Sequence, residues 1–423
     1  MLGFAHAHPS LHSASLRPVE TGGGRLSAPR TVLVGVGGYG RVHLRHLLDF
    51  HRRGELVLAA AVVFPPEPDE TVVGDLRAAG CEILASFEAL LAALPRLRIA
   101  FAVVPTPIHL HATMTLALVR AGVDVLVEKP LTATPADVAA MAEAAAANQR
   151  RVAVGFQYLH APEVRALGRK LADGAIGALR RLVVHAAWPR SHAYYSRNAW
   201  AGRLKLEGAW VLDSPVSNAM SHFLMVMLNL AERAGAPLNE PVNLTAELYR
   251  AQAIESFDTA MLQLRTVNGV RLDFYGTHSS AAIGRPSLRI EGTNGTAEWV
   301  QDSHACLDGP GGRWEQTAFP ESDTRERMLR DVLKYHRGEP AEVCTIGMAS
   351  LHVRCIAGLH REFLVTPVPA AHIRRHEVDG QVFSYVSGLD EVLLAAARTG
   401  QGLAEAGAAW AVKPRTARLQ LRG

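Results

Sequence analysis

Thr31-Val32-Leu33-Val34-Gly35-Val36-Gly37-Gly38-Tyr39-Gly40-Arg41 is the stretch whose reading decides the fold. A short β-branched run enters a G-x-G-x-x-G turn, and a helical pattern follows from Arg41 to about His51. Gly35 allows the tight turn, Gly37 lets a backbone approach a pyrophosphate, and Gly40 permits close helix–strand packing, while the helix N-terminus offers partial positive charge. Gly35, Gly37, Gly38, Tyr39, Gly40 and Arg41 thus form a candidate dinucleotide cradle. The second strand, Leu56–Val63, ends at Phe64, where an NAD-binding unit usually places an acid for the ribose 2′-hydroxyl. The nearest acids are Glu67 and Asp69, and the cations offered to a 2′-phosphate are Arg41 and Arg52 or Arg53. The cofactor is therefore NAD or NADP.

Continuous apolar runs at Ile99–Val104, Val123–Val127 and Arg151–Gly155 alternate with helical segments, which predicts a doubly wound parallel sheet covered on both faces. The second half has a different pattern. Asn268-Gly269 separates Thr259–Thr266 from Val270–Tyr275, and Asn294-Gly295 separates Leu288–Glu291 from Ala297–Val300. A Gly-rich turn separates His304–Leu307 from Trp314–Ala318. Three hairpins predict a largely antiparallel sheet, with helices at Pro215–Leu230, Asp323–His336 and Met348–Arg361 as candidate covers. The fold class is an α/β Rossmann domain (31–152) followed by an α/β domain with a largely antiparallel open sheet (153–388). Residues 1–30 read as a flexible leader, and residues 389–423 as a C-terminal helix and tail.

At 423 residues the chain exceeds one ordinary core, and 48% apolar with 20% charged residues excludes a disordered chain. A net charge of +4 without a Lys/Arg block argues against a nucleic-acid partner. No apolar run is long enough to cross a membrane. Four scattered cysteines suit a reducing, cytoplasmic setting and carry no metal-ligand spacing, so no metal is expected.

Pro105-Thr106-Pro107-Ile108-His109-Leu110-His111 and, after a further strand, Glu128-Lys129-Pro130 complete a pattern that resembles the Gfo/Idh/MocA oxidoreductases over roughly residues 31–365. The resemblance implies a nicotinamide cofactor, a sugar or polyol bound between the domains, and a homo-oligomer formed through the second-domain sheet. It implies that Glu128 lies near the nicotinamide ribose, that Lys129 lies near the reacting hydroxyl, and that Thr106, Pro107 and His111 lie beside the cofactor. Read from the residues alone, Lys129 ends a buried parallel strand at the carboxyl edge, where ligands bind. A partly desolvated ammonium there exchanges protons readily. His109 and His111 read equally as helix-start residues with structural hydrogen bonds.

The family pattern of an Asp with a His four residues on is broken. In Gly208-Ala209-Trp210-Val211-Leu212-Asp213-Ser214-Pro215-Val216-Ser217-Asn218-Ala219-Met220-Ser221-His222, Asp213 matches but Ser217 stands at the His position. Ser214 as N-cap and Pro215 as first helical residue would put Asn218 and His222 on one helix face. His222 then either replaces the missing His in the cleft, titrating near neutrality, or packs in the core. Tyr158, Tyr195, Arg197, Trp200 and Asn218 are candidate substrate contacts, because aromatic rings stack on sugars and guanidiniums grip carboxylates. The expected activity is hydride transfer between nicotinamide and a sugar-like polyol, with Lys129, Asp213 and His222 as catalytic candidates. The alternatives are an NAD-dependent glycoside hydrolase without net redox change and a non-catalytic NAD(P)-binding sensor.

Overall fold

The computed structural model describes residues 28–65, 70–240 and 242–421. The expected leader, apart from its last residues, and the Glu67 and Asp69 positions lie outside them. The first unit runs β1 Arg30–Val34, α1 Gly40–Arg52, β2 Val57–Val62, α2 Glu70–Ala78, β3 Glu82–Leu84, α3 Phe87–Leu97, β4 Phe101–Val104, α4 Ile108–Arg120, β5 Asp124–Val127, α5 Pro135–Ala147 and β6 Val152–Val154. Its strands form a six-stranded parallel sheet in the order β3-β2-β1-β4-β5-β6. β4 and β5 are buried throughout, because helices cover both faces.

The chain continues through α6 Pro162–Ala172, β7 Leu179–Ala187, α7 His192–Ser196, the short pair β8 Lys205–Leu206 and β9 Ala209–Trp210, and α8 Ser221–Arg233. Next come β10 Val242–Arg250, β11 Thr259–Arg265, β12 Arg271–Thr277, β13 Ser287–Gly292, β14 Thr296–Val300, β15 His304–Gly309 and β16 Gly312–Thr317. The last elements are α9 Glu321–His336, α10 Ile346–Glu362, β17 Val365–Pro367, β18 Ile373–Val378, β19 Gln381–Val386, α11 Leu389–Thr399 and β20 Arg415–Leu419. The second sheet has the order β16-β15-β14-β13-β7-β12-β11-β10-β17, with β20 also on β10. The three expected hairpins are β11–β12, β13–β14 and β15–β16, all antiparallel. β7 pairs parallel to β12 and antiparallel to β13, which joins the hairpins into one sheet.

Helix placement departs from the sequence reading in two places. The helix expected from Pro215 starts only at Ser221, and residues 214–220 form a series of turns. α9, expected over the second sheet, packs on the Rossmann unit: Met328, Leu329, Val332 and Leu333 are buried with Leu33, Leu44, Leu47 and Phe50. At about 1.5–3 kcal/mol for each buried side chain, this contact fastens the two halves together. α11 lies on the outer face of the second sheet, where Leu389, Leu393 and Ala396 meet Val183, Tyr249, Met261 and Tyr275. Over β7, β10, β11 and β12 that face is covered by the chain's own C-terminal segment.

Beneath the 214–220 turns, His352 of α10 is fully buried, and its Nε2 donates to Val216 O at 2.9 Å. Burial lowers its pKa to about 4. An unfolded histidine takes a proton near pH 6.5, so between about 6.5 and 4 the unfolded state binds more protons and folding stability falls with falling pH. Replacing His352 by Gln removes this contribution. The melting temperature of the wild type should drop more steeply than that of His352→Gln between pH 7 and 4.5; parallel curves would show that His352 does not resist protonation in the fold.

Candidate active site

The glycine turn is built as a phosphate cradle. Gly35 has φ +98° and Gly38 φ +50°, values that favour glycine. A Cβ on Gly40 would lie 2.2 Å from Gly35 O, so only glycine lets α1 start against the strand. A Cβ on Gly37 would meet no protein atom within 4 Å. The N–H groups of Gly37, Gly38 and Tyr39 donate to no protein acceptor among the described residues. Open space, free donors and a helix N-terminus fit a dinucleotide pyrophosphate. Phe64 lies beside Gly35, so the described part of the β2 end offers no carboxylate to a ribose. Arg52 and Arg53 sit at the far end of α1, with Asp49 between them as ion partner. They are not the 2′-phosphate clamp the sequence offered.

Several residues expected at the ligand also hold the surrounding loops. The Glu128 carboxylate is buried, bonded to His43 Nε2 at 2.8 Å and to its neighbour's amide, Lys129 N, at 3.1 Å. Burial opposes its charge, but the His43 hydrogen bond and the Lys129 ammonium outweigh that and leave its pKa below the usual value. A Cβ on Gly155 would strike this carboxylate at 2.5 Å, so Glu128 packs directly against the β6 end. Both ring nitrogens of His111 are taken by carbonyls, Pro130 O at 2.8 Å and Thr106 O at 2.7 Å. His111 therefore ties the Thr106–Pro107 loop to the Glu128–Pro130 turn. Tyr39 accepts from Arg325 Nε of α9 at 3.0 Å and donates to Gln157 Oε1 at 3.3 Å, a cross-link absent from the sequence reading.

Lys129 crosses from the first unit to the second. Its Nζ donates to Asn218 O and Asn218 Oδ1, both at 3.1 Å. Asn218 Nδ2 donates to Asp213 Oδ1 at 3.0 Å, and Asp213 Oδ2 accepts Gly202 N at 2.6 Å. The amide orientation follows from chemistry: lysine has only donors, so the Asn218 oxygen faces it and the NH2 faces the carboxylate. Desolvation dominates Lys129 and lowers its pKa against the pull of Glu128 and Asp213, with Arg197 and Arg190 adding to the lowering. Burial likewise raises the pKa of Asp213.

Ser217 explains the broken family pattern. Its hydroxyl donates to Leu212 O at 2.7 Å and accepts Ser214 N at 2.9 Å, so it ties the turn that presents Asp213 and Asn218. His222 does not fill the vacancy. Its ring packs edge-on to Phe156 and Tyr158, its Nδ1 is sealed without a partner, and burial with the Lys129 charge holds its pKa well below the usual value. The expected titration near neutrality is corrected accordingly. Tyr158 is also a core residue: it is 4% exposed and its hydroxyl accepts Gln301 Nε2. Tyr195 bonds His278 Nδ1 at 3.0 Å and lines a cavity of about 810 Å³ with His192, Gln252 and Arg375. Arg197 lies over the rings of Tyr194 and Trp200, at 3.5 and 5.2 Å to the ring centres.

A dinucleotide cradle coupled to a desolvated lysine at the junction of two units defines a nicotinamide-dependent oxidoreductase. The chain belongs to the GFO/IDH/MocA oxidoreductase family: residues 29–156 match its NAD-binding Rossmann domain and residues 164–298 its C-terminal domain. It is 28% identical over 297 residues to a dTDP-3,4-didehydro-2,6-dideoxy-alpha-D-glucose 3-reductase of Streptomyces violaceoruber, covering 66% of this chain and 83% of that one. Over 159 residues it is 33% identical to inositol 2-dehydrogenase 4 of Saccharopolyspora erythraea, covering 37% and 45%. Its fold is similar to the WlbA dehydrogenase from Chromobacterium violaceum, solved with NADH and UDP-GlcNAcA, with a TM-score of 0.64 at 19% identity over 81% of this chain and 94% of that one.

Because space beside Gly37 is open in the protein, Gly37→Val should fold normally yet lose NADH and NADPH binding, its side chain filling the approach of the pyrophosphate. Calorimetric titration of folded variant and wild type decides this; equal affinities would remove the turn from the binding site.

Proposed function

We propose that the chain interconverts a secondary alcohol and a ketone on a sugar or sugar-like polyol, with Lys129 as the proton carrier. The observation that carries this is the Lys129 ammonium, bonded to the Asn218 amide and to no carboxylate among the described residues. A neutral partner leaves desolvation in control, so the amine gains and loses a proton more easily than an ion-paired lysine would. When bound, the nicotinamide gives or takes the hydride. Lys129 Nζ takes the hydroxyl proton during oxidation and returns it during reduction. Asn218 aims the ammonium, and Asp213 fixes Asn218 while accepting the Gly202 amide. His222 stays neutral and packs beneath.

The choice between NAD and NADP falls to the end of β2, where Phe64 lies beside Gly35. Four free cysteines support action in a reducing, cytoplasmic setting.

Lys129→Met should lower turnover by roughly 100-fold or more while NADH affinity holds, measured by initial rates across a polyol panel and by calorimetry. Near-normal turnover would make Lys129 structural. Asn218→Asp places a carboxylate against the ammonium and stabilises its charge. The alkaline inflection of the oxidation rate should therefore move up by about one pH unit or more. An unmoved inflection would mean that another group carries the proton.

A further inference from the structure

Between β7 and the Asp213 turn, five side chains alternate as aromatic and guanidinium. The Arg190 carbon Cζ lies 5.3 Å from the Trp188 ring centre and 4.9 Å from that of Tyr194. Arg197 follows over Tyr194 and Trp200. Stacking fixes both guanidiniums before any ligand arrives, so little side-chain freedom is left to lose on binding. Neither has an ion partner among the described residues. Arg190 makes no side-chain hydrogen bond, and its Nε is sealed from solvent without an acceptor. Arg197 bonds only within the ladder, to Tyr194 O. This contrasts with Arg165, Arg181, Arg271 and Arg330, each paired with a carboxylate. Among the charges that act most on Lys129 are Glu128, Asp213, Arg197 and Arg190. Glu128 is held beneath Gly155 by His43, and Asp213 is held by Gly202 and Asn218. The two carboxylates that act on Lys129 are thus already engaged, whereas the two guanidiniums hold no carboxylate among the described residues.

We propose that Arg190 and Arg197 form a receptor for an oxyanion carried by the sugar itself, so that the substrate is a carboxylate- or phosphate-bearing sugar rather than a neutral polyol. Forked guanidiniums match either group through paired N–H bonds. The two clamp the charged end of the sugar while its hydroxyl faces Lys129. This rests on the function proposed above, because it places the sugar at Lys129.

The test uses the full chain saturated with NADH, whose own titration is done first. Failure of NADH to bind would remove the functional reading, and the probes would then be titrated without it, with the same outcomes. D-glucuronate, D-glucose 6-phosphate, D-glucose and myo-inositol are titrated by calorimetry. At least one anionic probe should bind about tenfold or more tightly than both neutral ones, and which anion wins distinguishes carboxylate from phosphate. That preference should vanish in Arg190→Gln and weaken in the exposed Arg197→Gln, a second variant if the first melts early. Arg190→Lys, which keeps charge but not the fork, should recover part of it. With any turned-over sugar, the variants should raise KM more than they lower kcat. Equal binding of neutral and anionic probes, or a preference that survives both substitutions together, would overturn the proposal.

Discussion

One side-chain amide, Asn218, joins the two halves of this molecule at the site proposed for proton transfer. It offers oxygen to the Lys129 ammonium and NH2 to the Asp213 carboxylate, at 3.1 and 3.0 Å. A direct lysine–aspartate contact would lock the ammonium in its charged form. With a neutral group between them, each charge is hydrogen-bonded but neither is neutralised by its neighbour, and burial governs both. The lysine is driven toward losing its proton and the aspartate toward keeping one. A group that must pick up and release a proton in each cycle is served by that balance.

The rest of the structure keeps this amide in place. β5 carries Lys129 to the sheet edge, and the His43–Glu128 pair beneath Gly155 holds the strand end. From the other side, Ser217 bonds Leu212 O and Ser214 N, shaping the turn from which Asp213 and Asn218 project. His352 supports that turn from α10 through Val216 O. α9 returns from the second unit to bury four apolar side chains against the Rossmann core, and its Arg325 bonds Tyr39 in the glycine turn. The helix thus fastens the second unit, which carries Asn218, to the Rossmann unit beside the cradle.

What the sequence made legible was local. The glycine turn, the Glu128-Lys129-Pro130 strand end and the Asn-Gly hairpins are short patterns whose geometry follows from neighbouring residues. β7 was illegible, because Arg180, Arg181 and His185 interrupt its apolar pattern and its place in the sheet depends on partners about a hundred residues on. The seat of α9 was equally hidden: a stripe of apolar residues says that a helix buries a face but not against which sheet. The clearest misreading was His222. Its spacing from Asn218 holds only if a regular helix starts at Pro215, whereas the helix starts at Ser221 and the imidazole turns into the Phe156–Tyr158 aromatics. Ser217 looked like a lost catalytic group and is a turn-forming hydroxyl. The aromatic–guanidinium alternation around Tyr194 was visible in the sequence, but only the structure shows the rings and guanidiniums stacked.

The most direct measurement of the central claim is a crystal structure of the chain with NADH bound. The nicotinamide is predicted to enter from the Gly37 cradle with its reactive C4 edge facing Lys129 Nζ, the Asn218 bridge to Asp213 intact and Glu128 still bonded to His43. A nicotinamide ring turned away from Lys129, or a lysine drawn off Asn218 into a direct ion pair with a carboxylate, would contradict it.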